Sequence, residues 1–308
     1  MDDTTRTIRN LLAEAGCDGW CHAQVVGDRG TGIGLRSSAP VVISSMYKVH
    51  LMVAACRSNQ QGLLDFDRRI RVEPGRYAPG PTGFALFSDV VEVSLRDVVR
   101  SMITVSDNTS AGIVYELLPS GALEDTLSRL ELTAARIFPH PGERSIPTSA
   151  EPGATAAEDA AYVIAAFAAD ETGTEFDPAY YSQSTTAEMC TILDLIWTDT
   201  AADAAQCAFM RQLLAEQVWR HRVASGFSPR RFEVAGKTGT IDRVRAETSV
   251  VTPSGERPIA LSIVTRAARA EPELPEVDRT IGRIARVLVD ALRQRHQLRA
   301  QSERGCSS

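Results

Sequence analysis

A chain of 308 residues, 44% hydrophobic and 23% charged, is long enough to bury a core in each of two packed lobes. Its net charge of -6 and scattered arginines present no basic stripe to a phosphate backbone, which argues against nucleic acid as a partner. No apolar run approaches the roughly 18 residues of a membrane span, and Met1 to Arg6 shows no basic-then-apolar leader, so the expected setting is the cytoplasm, away from membrane.

Ile8, Leu11, Leu12 and Ala15 recur at helical spacing and predict an amphipathic helix over residues 5–15. Extended stretches at 20–26 and 33–36 flank Gly27 to Gly32, whose composition is that of a hairpin turn. The Gly30-x-Gly32-x-Gly34 spacing is not taken as a nucleotide fingerprint, because no helix opens after it. From Ser44 to about Leu64 the pattern is helical, and helix formers then dominate, broken at 74–83, 119–121 and 139–153. Residues 232–240, 247–252 and 259–265 are rich in β-branched side chains and predict strands, with Pro253-Ser254-Gly255 turning between the last two. An amphipathic helix over 279–294 closes the chain, and 301–308 reads as a disordered tail. Strands from both ends should share one antiparallel sheet. The expected class is therefore α/β (α+β) and two-lobed: residues 1–42 and 223–308 form a sheet lobe flanked by terminal helices, and 43–222 form an inserted all-helical lobe.

Six cysteines, Cys17, Cys21, Cys56, Cys190, Cys207 and Cys306, neither form a disulfide framework in a chain this long nor stand at metal-ligand spacing with the isolated histidines. They are read as thiols, with no metal and no cofactor expected.

Ser45-Met46-Tyr47-Lys48 opens the first long middle helix and puts a hydroxyl and an amine one turn apart on one face. A serine hydroxyl needs a base, and a lysine desolvated by burial can supply one. Of the 33 basic residues only Lys48 and Lys237 are lysine. Arginine evidently supplies the surface charge, which leaves the two lysines for positions where losing a proton matters. Ser106-Asp107-Asn108 lies between two helical runs, where the turn can aim Ser106 and Asn108 into one cleft while Asp107 points back to hold it. Gly236-Lys237-Thr238-Gly239-Thr240 lies on a strand whose alternation should direct Lys237 toward Ser45. Backbone N–H groups of Ser45 and Thr240 would then form an oxyanion hole.

Ser-x-x-Lys, Ser-Asp-Asn and Lys-Thr-Gly, in this order and on a helix, a turn and a strand, resemble the class A β-lactamases and related penicillin-recognising serine enzymes. The likeness extends over nearly the whole chain. It implies an active site at the lobe junction, with Ser45 as nucleophile, Lys48 as proton acceptor and Ser106 as shuttle. Asn108 would contact a substrate amide, Lys237 and Thr238 would face a substrate carboxylate, and Arg245 resembles the family's additional carboxylate-binding arginine. In one respect the sequence departs from that family: the loop from Phe138 to Gly153 lacks the Glu-x-x-Leu-Asn element whose glutamate activates the deacylating water. Glu143 is the positional candidate there. The implied partner is a small β-lactam, amide or ester, hydrolysed through an acyl-enzyme. The alternatives are a cytosolic acyltransferase or biosynthetic esterase on the same scaffold, or a penicillin-binding-like protein that acylates and stays blocked.

Overall fold

The computed structural model describes residues 3–77, 79–138, 181–269 and 271–305. Helix α1 (Asp3–Glu14) buries Ile8, Leu11 and Leu12. It is followed by β1 (Cys17–Val25) and β2 (Asp28–Leu35), which pair antiparallel. The hairpin turn is only Val26-Gly27, with Gly27 at φ +74°, so Gly30 and Gly32 lie within a strand rather than in the anticipated turn, and Gly34 lies on that strand as expected. Close approach explains two of these glycines. A Cβ at Gly32 would lie 2.6 Å from the His22 ring, and one at Gly34 would lie 2.1 Å from the Cys21 carbonyl oxygen.

Strands β7 (Phe232–Ile241), β8 (Val244–Pro253) and β9 (Ile259–Ala267) complete a five-stranded antiparallel sheet of order β2-β1-β9-β8-β7. The last strand in sequence, β9, pairs along its length with β1. Helix α8 (Pro275–Gly305) closes the chain and extends through residues 301–305, which the sequence assigned to a disordered tail. Together α1 and α8 cover one sheet face, where Ile8, Leu11, Ile281, Ile284 and Leu288 pack against Leu261 and Ile263.

The opposite face carries Ala235, Ala246, Val250, Ala260 and Val264 into a second core shared with the helices. Those helices are α2 (Lys48–Gln60), α3 (Leu95–Thr104), α4 (Asn108–Leu117), α5 (Ala122–Arg129), α6 (Thr186–Trp197) and α7 (Ala204–Ala215). The inserted lobe also holds two short ribbons the sequence did not reveal, β3 (Val41–Val42) with β6 (Gln183–Ser184) and β4 (Arg69–Val72) with β5 (Val91–Ser94). The result is a mixed α/β molecule: an antiparallel sheet, flanked by terminal helices, beside a helical lobe.

Candidate active site

Ser45 sits in a 3-10 turn, Ser44–Tyr47, that runs directly into α2 at Lys48. With three residues per turn, positions i and i+3 eclipse, which stacks Lys48 on Ser45 more closely than an α-helix would. The turn is fastened to the sheet. Ser44, at φ +46°, donates its hydroxyl to the Thr240 carbonyl at 2.8 Å. Gly239 allows this approach, since a Cβ there would lie 2.8 Å from the Ile43 carbonyl oxygen.

Between α3 and α4 the chain turns through Ser106, at φ +63°, and Asp107. The wholly buried Asp107 carboxylate accepts from Thr109 N, Ser101 Oγ, Ser110 Oγ and Phe84 N. It therefore holds the turn, as the sequence suggested, and binds the 79–84 strap alongside it. Asn108 continues that link by donating Nδ2 to the Pro79 carbonyl.

Lys48 is fully buried, and its Nζ donates to Ser106 O at 2.6 Å, Ser106 Oγ at 3.3 Å and Asn108 Oδ1 at 2.8 Å. Burial pulls its pKa down to about 7, and the Asp107 carboxylate opposes that shift only in part. Lys237 is also fully buried and donates to the Thr238 carbonyl. Burial and the neighbouring Lys48 and Arg222 cations hold it well below the usual lysine range, against the pull of Glu247.

Ser45, Ser106, Asn108, Thr238 and Thr240 line one cleft of about 430 Å³, so residues spread over almost two hundred positions are brought together. Lys48 and Lys237, wholly buried, do not line it but bond to residues that do: Lys48 to Ser106 and Asn108, and Lys237 to Thr238. Arg245 also lines the cleft, but its guanidinium is turned to carbonyl oxygens, those of Asp242, Val244, Glu271 and Pro272. Glu143 lies outside the described residues.

Sequence reasoning missed Arg222. Its Nε donates to Asp278 Oδ1, its Nη1 to both Gly239 O and Ala246 O, and its Nη2 to Thr240 Oγ1. It thus joins α8, β7 and β8 at the cleft edge. Gln217 accepts from Thr238 N. Glu247, raised in pKa by burial, accepts from Val223 N and Ser249 Oγ. The only hint in the sequence was the density of tryptophan, histidine and arginine across residues 217–222. Among the described residues no group of three metal-ligating side chains occurs, the cysteines are free thiols, and no helix is long and apolar enough to cross a membrane.

A family model described as the Beta-lactamase enzyme family matches residues 3–292. The chain belongs to that family. Among curated proteins it is similar to the "Beta-lactamase regulatory protein BlaB" of Streptomyces cacaoi, at 26% identity over 94% of this chain and 97% of the relative. Among solved structures, a β-lactamase from Sphaerobacter thermophilus superposes with a TM-score of 0.72 at 19% identity, covering 92% of this chain and 96% of that one. A reconstructed class A β-lactamase of the last common ancestor of Gram-negative bacteria gives 0.72 at 20%, covering 94% and 99%. These likenesses establish the class A β-lactamase fold.

Proposed function

We propose that this chain is a serine acyl-transfer enzyme that takes the acyl group of a β-lactam, or of a related amide or ester, onto Ser45. The observation that carries this reading is the Lys48 amine, which lies one turn after Ser45, wholly buried, bonded to Ser106 Oγ, and lowered to a pKa of about 7. Neutral Lys48 takes the Ser45 proton as Oγ attacks the carbonyl carbon. The carbonyl oxygen becomes an oxyanion between the Ser45 and Thr240 backbone N–H groups, then re-forms its double bond as the bond to the leaving nitrogen or oxygen breaks. The Ser106 hydroxyl delivers a proton to that leaving atom and regains one from the Lys48 ammonium. The Thr238 and Thr240 hydroxyls meet a substrate carboxylate, with Arg222 polarising Thr240 from behind.

Intact-protein mass spectrometry after incubation with a penicillin, a cephalosporin and an activated ester is expected to show a covalent increment that Ser45→Ala abolishes. Unmodified wild-type protein with all three probes overturns the reading.

The match to a regulatory protein over nearly the full length of both chains favours a second reading, in which acylated Ser45 persists and acts as a signal. Adduct lifetime separates the two. Decay within seconds to minutes marks a hydrolase, with Glu143 as the base whose replacement by Ala traps the adduct, whereas an adduct that survives for hours marks a sensor. Faster product release on adding amine or alcohol acceptors marks a transferase.

A further inference from the structure

The motif residues Ser45, Ser106, Asn108, Thr238 and Thr240 account for only part of the cleft lining. Another part is built by two segments, 219–222 and 272–275, each fixed by an arginine. Arg222 ties the first to β7, β8 and Asp278. Arg245 ties the second through the Glu271 and Pro272 carbonyls, and Asp278 N donates to Leu274 O. Trp219 and His221 meet edge to face, with ring centroids 6.2 Å apart and planes at 87°, and so form a right-angled aromatic corner in the cleft lining. Pro272, Leu274 and Pro275 line the same space. Trp219 remains 36% exposed. A tryptophan held by clamped backbone and partly open to a cleft offers ring surface to a planar ligand group.

The same cleft lining offers hydroxyl donors suited to an anion. The Thr240 hydroxyl accepts from Arg222 Nη2, so its own proton is free to donate, and the Thr238 hydroxyl lines the same wall. Burial, followed by Arg222, lowers the His221 pKa against the pull of the Asp278 carboxylate 3.9 Å away, which favours a neutral imidazole over a second cation. Hydroxyl donors suited to an anion and an aromatic corner share one cleft lining, linked through Arg222, which follows His221 and bonds Thr240, and together they fit one ligand chemistry: a carboxylate with a planar apolar group beside it.

We infer that the Trp219–His221 corner is a subsite for an aryl or similar planar apolar group carried next to the carboxylate on the part of the substrate that departs. The assignment to the departing part rests on the proposed function, in which Ser45 is acylated and the Thr238 and Thr240 hydroxyls meet the carboxylate, borne in a penicillin or cephalosporin by the ring carbon bonded to the departing nitrogen. The subsite itself does not.

The test uses 3-phenyllactate and lactate, two hydroxy acids that differ by one phenyl group. In ¹⁵N chemical-shift titrations of the full chain, phenyllactate is expected to bind at least about tenfold more tightly, with the Trp219 indole N–H responding, since burial of one ring against aromatic partners is worth that factor. Trp219→Ala should erase the preference and leave lactate binding unchanged, and Trp219→Phe should largely restore it. Equal affinities in the wild type, or a preference that survives Trp219→Ala, overturn the subsite. Acyl esters of the same two alcohols, whose leaving groups are of similar intrinsic reactivity, should acylate Ser45 with the same selectivity. Selective titration without any adduct would overturn the Ser45 chemistry and the departing-group assignment, while equal titration with normal adducts would overturn the corner alone.

Discussion

Lys48 shows how one side chain can serve chemistry at the expense of stability. Its pKa is about 7 in the fold and about 10.4 in an open chain, so between those values the unfolded state binds more protons. Stability accordingly falls as pH is lowered from about 10.4 to about 7 and is level below that. The penalty at neutral pH is on the order of 4 kcal/mol before the bonds to Ser106 and Asn108 offset part of it. Lys48→Met is therefore expected to raise unfolding stability at pH 7 by about 1–3 kcal/mol and to flatten the pH slope, with Lys237 supplying the remainder. Urea midpoints at pH 7 and 9.5 measure both. A less stable variant would mean that the three hydrogen bonds outweigh the burial term. The same ionisation sets the chemistry: the rate of adduct formation on Ser45 should climb about tenfold between pH 6 and pH 8, following the neutral amine.

At the scale of elements, the β7–β8 hairpin and the segment before it are held by a single guanidinium. Arg222 satisfies two carbonyls, a hydroxyl and the Asp278 carboxylate, and the buried Glu247 carboxylate beside it fixes Val223 N. Arg222→Leu leaves both acids short of their cation and is expected to destabilise the fold by about 3–5 kcal/mol. Arg222→Lys keeps the charge but not the planar fork, and should cost about half as much. Calorimetry or urea titration of the two variants decides; a loss below about 1 kcal/mol in both would show the clamp to be energetically idle.

This region also marks the limit of what the sequence disclosed. Ser45, Lys48, Ser106 and Asn108 were legible because each pair lies within one turn, where spacing dictates geometry. Lys237 was legible as a strand residue, and the register explains its burial: it aligns with Thr248, Ser262 and His22 across β7, β8, β9 and β1, a polar row on the face beneath the helices. Arg222, Trp219 and Asp278 belong to connections and a helix start, where no periodicity operates, and only tertiary packing brings them to Thr240. Arg245 was singled out by its likeness to the family's carboxylate-binding arginine, yet its side chain serves the backbone of 271–272. Gly30 and Gly32 were misread because a glycine within a strand, as at Gly32 where the His22 ring lies close, has the same composition as one required by a turn.

Across the whole molecule, both sheet faces are covered, one by α1 and α8 and the other by the inserted helices. Neither the sheet nor the helical lobe retains a closed core without the other. Thermal unfolding should therefore be one cooperative transition, with near- and far-ultraviolet dichroism coincident. A chain ending at residue 274, lacking α8, should lose the cooperative transition altogether, because Leu261, Ile263 and their neighbours would face water. Two separated transitions in the full chain would show the lobes to be independent.

The pairing of β1 with β9 also carries a temporal consequence. During synthesis β1 and β2 follow α1 out early, yet the partner that completes their sheet emerges more than about two hundred residues later, on the order of ten seconds or more at ribosomal speed. For that interval the leading hairpin is a two-stranded ribbon with an open edge and an uncovered apolar face, which makes the nascent chain a client for holding chaperones until its C-terminal quarter arrives.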